Sequence, residues 1–192
     1  MDRDHKIKLI GVLGKAGAGK DEVSRIIKQF GFTQLAFADG IKKQISELLG
    51  CSITDIEKYK RQTLKLSVES CGWSTTIRNI LQKQGMFMRK GSYNYWIDQL
   101  AIEMIDGNKY VISDVRMDNE IQFILNKRGI LIYVNRDIEN EFKDHPTEIM
   151  AENDRVPDMC DFVIDNNGTI EELNTAITFI MKELGYEQRN SN

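Results

Sequence analysis

No run of about 18 consecutive apolar residues occurs in the 192-residue chain, so neither a membrane span nor a signal-peptide core is expected. Cysteine is scarce and scattered. Cys51, Cys71 and Cys160 form no C-x-x-C pair and have no histidine at ligand spacing. That argues against a disulfide framework or a zinc module and points to reduced, buried thiols in a reducing compartment. Proline occurs only at Pro146 and Pro157, both inside one polar stretch. Histidine occurs only at His5 and His145, and no Ser-His-Asp or Cys-His arrangement can be assembled. A strong excess of charge is missing too. At net −3 there is no global electrostatic case for nucleic acid or a membrane surface as partner. Internal repeats and low-complexity linkers are absent. What remains is a soluble, cytoplasmic protein with one properly cored domain, expected over 1–187, and a polar tail over 188–192.

The most informative stretch comes first. Lys8 to Leu13 is an apolar run that stops at Gly14. A small-residue loop of Lys15, Ala16, Gly17, Ala18 and Gly19 follows, and Lys20 and Asp21 then open a helical pattern. Gly14, Gly19 and Lys20 spell G-x-x-x-x-G-K, the nucleotide-phosphate loop, with Asp21 where Ser or Thr is usual. Glycines let several backbone N–H groups turn onto one phosphate, and the following helix adds its positive N-terminal end. A lysine in the first turn reaches the β- and γ-phosphates as a point charge. The ordinary alternative is a flexible βα turn.

The rest of the chain alternates strand and helix. Val23, Ile26, Ile27 and Phe30 share a helical face closed by Gly31, and Phe32–Ala38 reads as the second strand. Asp39 is expected to cap a helix bearing Ile41, Ile45, Leu48 and Leu49. Arg61–Ser74 reads as irregular, followed by a helix that stops before Gly85. Trp96, Ile97, Leu100, Ala101, Met104 and Ile105 form a further helical stripe. Tyr110–Val115, Ile130–Val134 and Phe162–Ile164 read as strands three to five. Asp118 is expected to cap the helix between the first two of these. Thr169 with Glu172 matches a capping box for the final helix. This order predicts an α/β fold: a doubly wound, five-stranded parallel sheet with helices on both faces.

In such sheets ligands sit outside the carboxyl ends of the strands. That puts Gly14–Asp21, Asp39, Asp114–Arg116 and Arg136 along one rim. Asp114 ends a strand where a carboxylate can act on magnesium or its waters; otherwise it is a turn or capping aspartate. Arg116, two residues on, points the same way if the strand continues and could clamp a phosphate bidentately. A carboxylate at Asp21 would bind Mg²⁺ more strongly than the usual hydroxyl; its plain alternative is a helix-start aspartate. Lys42 and Lys43 lie near the rim, while Arg78, Lys83, Arg89 and Lys90 surround the middle helices. Most of these are expected to be surface charges. Trp96, Tyr93 and Tyr95 are candidates to stack on a base, although Trp96 also fits the core stripe. Arg136, Lys143, His145 and Arg155 are candidates for a closing lid over about 137–158.

Taken together, these blocks resemble the bacteriophage deoxynucleoside monophosphate kinases, a family of P-loop kinases. Gly-Lys-Ala-Gly-Ala-Gly-Lys-Asp at 14–21 is similar to their loop, in which Lys-Asp is common. Phe37-Ala38-Asp39-Gly40-Ile41-Lys42 resembles the entry to their acceptor region, with glycine where proline is expected. Leu81-Gln82-Lys83-Gln84-Gly85 with Arg89 and Trp96 resembles the middle block, and Ser113 to Glu120 the D-V-R-x-x-N-E block. Ile132–Arg136 and His145-Pro146-Thr147-Glu148 stand where the family carries V-x-R and its lid. Val163–Leu173 is similar to a closing strand and helix shared with dephospho-coenzyme A kinases.

The resemblance implies transfer of the γ-phosphoryl group of ATP, with Mg²⁺, to a deoxynucleoside monophosphate. An acceptor-binding insertion is expected over about 39–106. Lys20, Arg116 and Arg136 are expected in catalysis, and Gly14 through Asp21 around the ATP phosphates. The acceptor set is Asp39, Lys42, Lys43, Arg89, Trp96, Asp114, Arg116 and Glu120, with Asp21 and Asp114 toward the metal. Partners are then small-molecule nucleotides, with a homodimer left open. Rivals are a kinase of another small molecule such as dephospho-coenzyme A and a non-catalytic nucleotide-binding module. A GTPase-type switch fails, because Asn126-Lys127-Arg128-Gly129 lacks the aspartate of N-K-x-D.

Overall fold

A computed structural model of the chain describes residues 6–62, 65–68, 73–137 and 156–188. They divide into two compact units, one built from 1–36 and 104–192 and the other from 37–103.

The first unit is the sheet. Strands β1 (Leu9–Leu13), β2 (Thr33–Leu35), β5 (Tyr110–Ile112), β6 (Ile130–Asn135) and β7 (Phe162–Asp165) pair in the order β2-β5-β1-β6-β7. Every pairing is parallel, with Leu9 opposite Tyr110 and Leu13 opposite Tyr133. All five residues of β1 are buried, as its unbroken apolar run requires for a strand covered on both faces. On one face, α1 (Lys20–Lys28) and α7 (Ile170–Glu183) bring Val23, Ile26, Ile27, Leu173, Ile177 and Met181 onto Ile10, Val12, Val111 and Ile132. On the other, α6 (Asp118–Asn126) lays Ile124 beside Gly11, where any Cβ would meet Leu131, Ile124 and Val115 within 3.2 Å. The α7 start is as read: Thr169 accepts from the Glu172 N–H, and Glu172 accepts from that of Thr169.

The second unit is mostly helical. It holds α2 (Phe37–Leu49), α3 (Ile53–Arg61), α4 (Ile77–Gly91) and α5 (Tyr95–Glu103), with an antiparallel hairpin of β3 (Lys65–Val68) and β4 (Trp73–Thr76). Ile45, Ile56 and Ile77 form its apolar centre.

Several boundaries depart from the sequence expectation. β2 is shorter than Phe32–Ala38, because its partner β5 offers only Tyr110–Ile112 to pair with. α2 begins at Phe37, so Asp39 lies in the first turn and does not cap it; its carboxylate accepts from the Lys42 ammonium at 3.0 Å. Arg61–Ser74 is not irregular throughout, since it contributes to the hairpin. α4 runs through Gly85, whose missing side chain serves packing and not termination: a Cβ there would lie 3.1 Å from Ile41 Cδ1. Asp118 is the first residue of α6, and the flanking position is Met117.

Candidate active site

Past β1 the chain must turn sharply beside β6, and glycine makes this feasible. Gly14 has φ +142°, and a Cβ there would sit 2.4 Å from the Val134 carbonyl oxygen. Gly19, at φ +99°, leads into α1, and a Cβ there would lie 2.4 Å from the Asn166 amide nitrogen. Between them Ala18 is fully buried and its N–H donates to the Lys15 carbonyl at 3.1 Å. Lys15 and Ala16 are half-buried and Gly17 is exposed.

Lys20 is the chemically loaded residue. It is only 7% exposed, and its ammonium donates to the carbonyls of Gly14 at 2.6 Å and Lys15 at 2.7 Å. Burial pushes its pKa down to about 7, helped by repulsion from Arg116 and opposed by Asp21 and Asp114. A cation at this site is therefore costly unless negative charge compensates it. Arg116, Asp21 and Asp114 are the charged neighbours that act on Lys20.

The sheet ends at Ile112, so Asp114 and Arg116 do not share a face through strand alternation; they lie on the loop between β5 and α6. That loop is fixed by Glu120, whose Oε2 accepts the Arg116 N–H at 2.8 Å and the Met117 N–H at 3.0 Å. Glu120 is 2% exposed. Glu120, expected to contact substrate, is seen here to brace the loop that carries Arg116. Arg136 follows β6 and is exposed.

Two asparagines that the sequence presents only as a turn prove central. Asn166 donates its side-chain N–H to the Ala18 carbonyl at 2.8 Å and its backbone N–H to the Asn135 carbonyl at 2.8 Å. Asn167 Oδ1 accepts the Asp137 N–H at 2.8 Å. The backbone is thus pinned on both sides of Arg136, and the phosphate-type loop is strapped to the end of β7. No local pattern signals this, because the partners lie far apart in sequence; only their shared position past the strand ends hinted at it.

In the helical unit, the Lys42 ammonium meets Asp39 at 3.0 Å and Glu57 at 2.9 Å. Burial alone would lower its pKa, but the two carboxylates outweigh that and hold it raised. Its charge is matched by these two carboxylates in this structure. Lys43 is exposed. Arg89 is half-buried and donates from Nη1 to the Gly85 carbonyl at 3.5 Å. Trp96 is 1% exposed, its indole N–H donates to the same carbonyl at 3.0 Å, and its ring covers Gly40. Trp96 is core, and its ring is unavailable to stack on a base. The glycine at position 40 leaves it room: a Cβ would lie 3.2 Å from the indole.

The lid candidates Lys143, His145, Arg155 and Thr147 lie outside the described residues, as does Cys71. Cys160 donates to the Val156 carbonyl at 3.3 Å, and burial, with Asp161 nearby, pushes its thiol up to about 12. Cys51 and Cys160 are half-buried thiols in no disulfide, less enclosed than the expected core cysteines.

The donor set suits one class of metal. Among the described residues no cluster of three or more His, Cys, Asp or Glu could hold an ion by protein ligands alone. Asp21 and Asp114, whose charges both act on Lys20, could offer one or two carboxylates beside a phosphate-type loop, a donor set that fits Mg²⁺ held together with substrate phosphates.

Comparison with known proteins gives this geometry a family. The deoxynucleotide monophosphate kinase family model matches residues 50–177. A protein of Acanthamoeba polyphaga mimivirus bearing the same family name is 30% identical over 185 residues, spanning 88% of this chain and 93% of its own. That relative belongs to a giant virus and not to a bacteriophage. Among solved structures, dephospho-CoA kinase from Campylobacter jejuni superposes with a TM-score of 0.53 at 13% identity, covering 94% of this chain and 98% of its own. TT1252 from Thermus thermophilus gives 0.50 at 14% identity, covering 94% and 99%. At such identities the structures speak for the fold, that of the P-loop kinases, while the sequence matches speak for descent. The chain belongs to the deoxynucleotide monophosphate kinase family.

Proposed function

We propose that this kinase transfers the γ-phosphoryl group of ATP to a deoxynucleoside monophosphate, yielding the diphosphate and ADP. The observation that carries this reading is the buried Lys20 ammonium, set in a glycine loop at a helix N-terminus with Asp21, Asp114 and Arg116 around it. The family match supports the acceptor class.

The chemistry asks little covalent work of the protein. The attacking oxygen belongs to a phosphate whose second pKa is about 6, so it is already ionised at neutral pH and no general base is needed. What is needed is alignment and positive charge around a loose, in-line transition state. In this reading the loop N–H groups and Lys20 hold the donor phosphates, and Lys20 exchanges the Gly14 and Lys15 carbonyls for phosphate oxygens. Arg116, braced by Glu120, meets the charge that develops on the transferring group. Arg136, on backbone pinned by Asn166 and Asn167, is a second cation for that group, and Arg89 is the helical unit's candidate for the acceptor phosphate. Asp21 and Asp114 would hold Mg²⁺, which would supply charge neutralisation to the phosphates.

A coupled ADP-release assay across deoxy- and ribonucleoside monophosphates tests this, with dephospho-coenzyme A as a control. ADP release stimulated by one or more deoxynucleoside monophosphates is the expected result. No stimulation by any monophosphate would favour a non-catalytic nucleotide-binding module, and stimulation by dephospho-coenzyme A alone would assign a different acceptor.

A further inference from the structure

The helical unit contains a polar circuit that neither its packing nor phosphate binding accounts for. Gln84 on α4 donates its side-chain N–H to Gln44 Oε1 on α2 at 3.0 Å, and Gln44 donates in turn to the Tyr95 hydroxyl on α5 at 3.0 Å. The Tyr95 ring stands edge-on to Trp96, with centroids 4.8 Å apart, and Trp96 is tied to the Gly85 carbonyl next to Gln84. The contacts run across three helices and hold the Gln84 amide by its bond to Gln44. All three members are half-buried. Beyond that bond the Gln84 side chain has no hydrogen-bond partner among the described residues, and its Oε1 is not a fully buried orphan.

An apolar trio would pack these helices without ordering two flexible amides, which costs rotamer entropy. The expense is justified if a preorganised amide is itself useful. A neutral amide presenting Oε1 and one remaining N–H is a poor match for phosphate, which calls for cations. It is a good match for a base edge carrying a donor beside an acceptor, the way glutamine pairs with adenine N6 and N7. Arg89, on the same helix, reaches back to the carbonyl of Gly85, the residue after Gln84. The Arg89 guanidinium, the proposed phosphate cation, thus lies beside the glycine that follows Gln84.

We infer that Gln84, oriented by Gln44 and Tyr95, determines which base the acceptor nucleotide carries. This rests on the proposed transfer to a deoxynucleoside monophosphate. Gln84 would contact the base, whereas Gln44 and Tyr95 are positioning residues.

The test is kcat/KM for dAMP, dCMP, dGMP and dTMP with the full chain, alongside the KM for ATP. The wild type should discriminate among the four bases. Gln84→Met should compress the ratio between best and worst acceptor by about tenfold or more, leaving the KM for ATP within about twofold. Tyr95→Phe keeps the ring on Trp96 and loses only the hydroxyl, so it should fold even if Gln84→Met does not. It should compress the same ratio by a smaller factor. A wild type that treats all four bases alike overturns the inference, as do variants that slow every acceptor equally or leave the ratio unchanged. A wild type that phosphorylates no nucleoside monophosphate overturns the proposed function, and this inference with it.

Discussion

At the scale of single residues, the site turns on how much charge the protein leaves uncompensated. Lys20 is buried with its pKa pushed down to about 7 from an ordinary 10.5. Below pH 7 the ammonium is charged in folded and unfolded chain alike, and folding carries the cost of burying it. That cost is relieved as pH rises from about 7 toward 10.5, where the folded chain binds fewer protons than the unfolded one. A bound phosphate should reverse the shift. At pH 8, ATP binding is therefore expected to take up a proton, seen calorimetrically as an enthalpy that differs between buffers of different ionisation heat. Equal enthalpies would mean that Lys20 is already charged or does not meet the phosphates. In the proposed role Arg116 acts on the transferring group and not on ground-state ATP, so Arg116→Ala should lower kcat by about 10³-fold or more with ATP affinity retained. Near-normal turnover would remove it from the mechanism. Asp21 separates metal chemistry from helix-start electrostatics. Asp21→Ser keeps a magnesium ligand and Asp21→Ala does not, so the Mg²⁺ requirement should rise more in the alanine variant. Identical titrations for both variants and wild type would mean that Asp21 does not face the metal. The sequence makes Lys20 and Asp21 legible because their spacing is local. The apolar stripe also places Trp96 in the core, as observed, whereas the bonds of Glu120 to the Arg116 and Met117 N–H groups depend on where the loop after β5 runs and emerge only on folding.

The elements show which signals carry and which mislead. β1, β6 and α7 follow from uninterrupted apolar runs and from the Thr169–Glu172 capping box, all interactions between near neighbours. Replacing Thr169 with alanine should cost about 0.5–2 kcal/mol, readable as a lower denaturant midpoint with unchanged slope; an unchanged midpoint would show that the cap contributes nothing. Gly85 misled for a physical reason. A glycine can end a helix by adopting positive φ, or it can sit inside one to admit a neighbour, and only the approach of Ile41 and the Trp96 bond to its carbonyl distinguish the two. The β3–β4 hairpin is hard to read because each strand is only four residues long, and β4, Trp73-Ser74-Thr75-Thr76, is polar after its first residue. β5 ends at Ile112 and not Val115, because hydropathy cannot show where pairing stops. The Asn166 strap is legible only once the topology brings the β7 end beside the loop.

At the scale of the molecule, strand order β2-β5-β1-β6-β7 sets the phosphate-type loop after the central strand, between the two strands that precede the Asp114–Arg116 loop and Arg136. The alternation of strand and helix was enough to anticipate this arrangement, since parallel pairing and right-handed crossovers leave few alternatives. No helix among the described residues is long and apolar enough to cross a membrane. The identity of the acceptor was less accessible, because it depends on side chains gathered from helices 40 or more residues apart, such as Gln44 with Gln84 and Tyr95. The most direct measurement follows the phosphoryl group itself. The protein is incubated with ATP labelled at the γ-phosphate, Mg²⁺ and each deoxynucleoside monophosphate, and the products are separated. Label recovered in a deoxynucleoside diphosphate, lost in Arg116→Ala, is the expected result; label found only in ATP or in inorganic phosphate, whatever the acceptor, would contradict it.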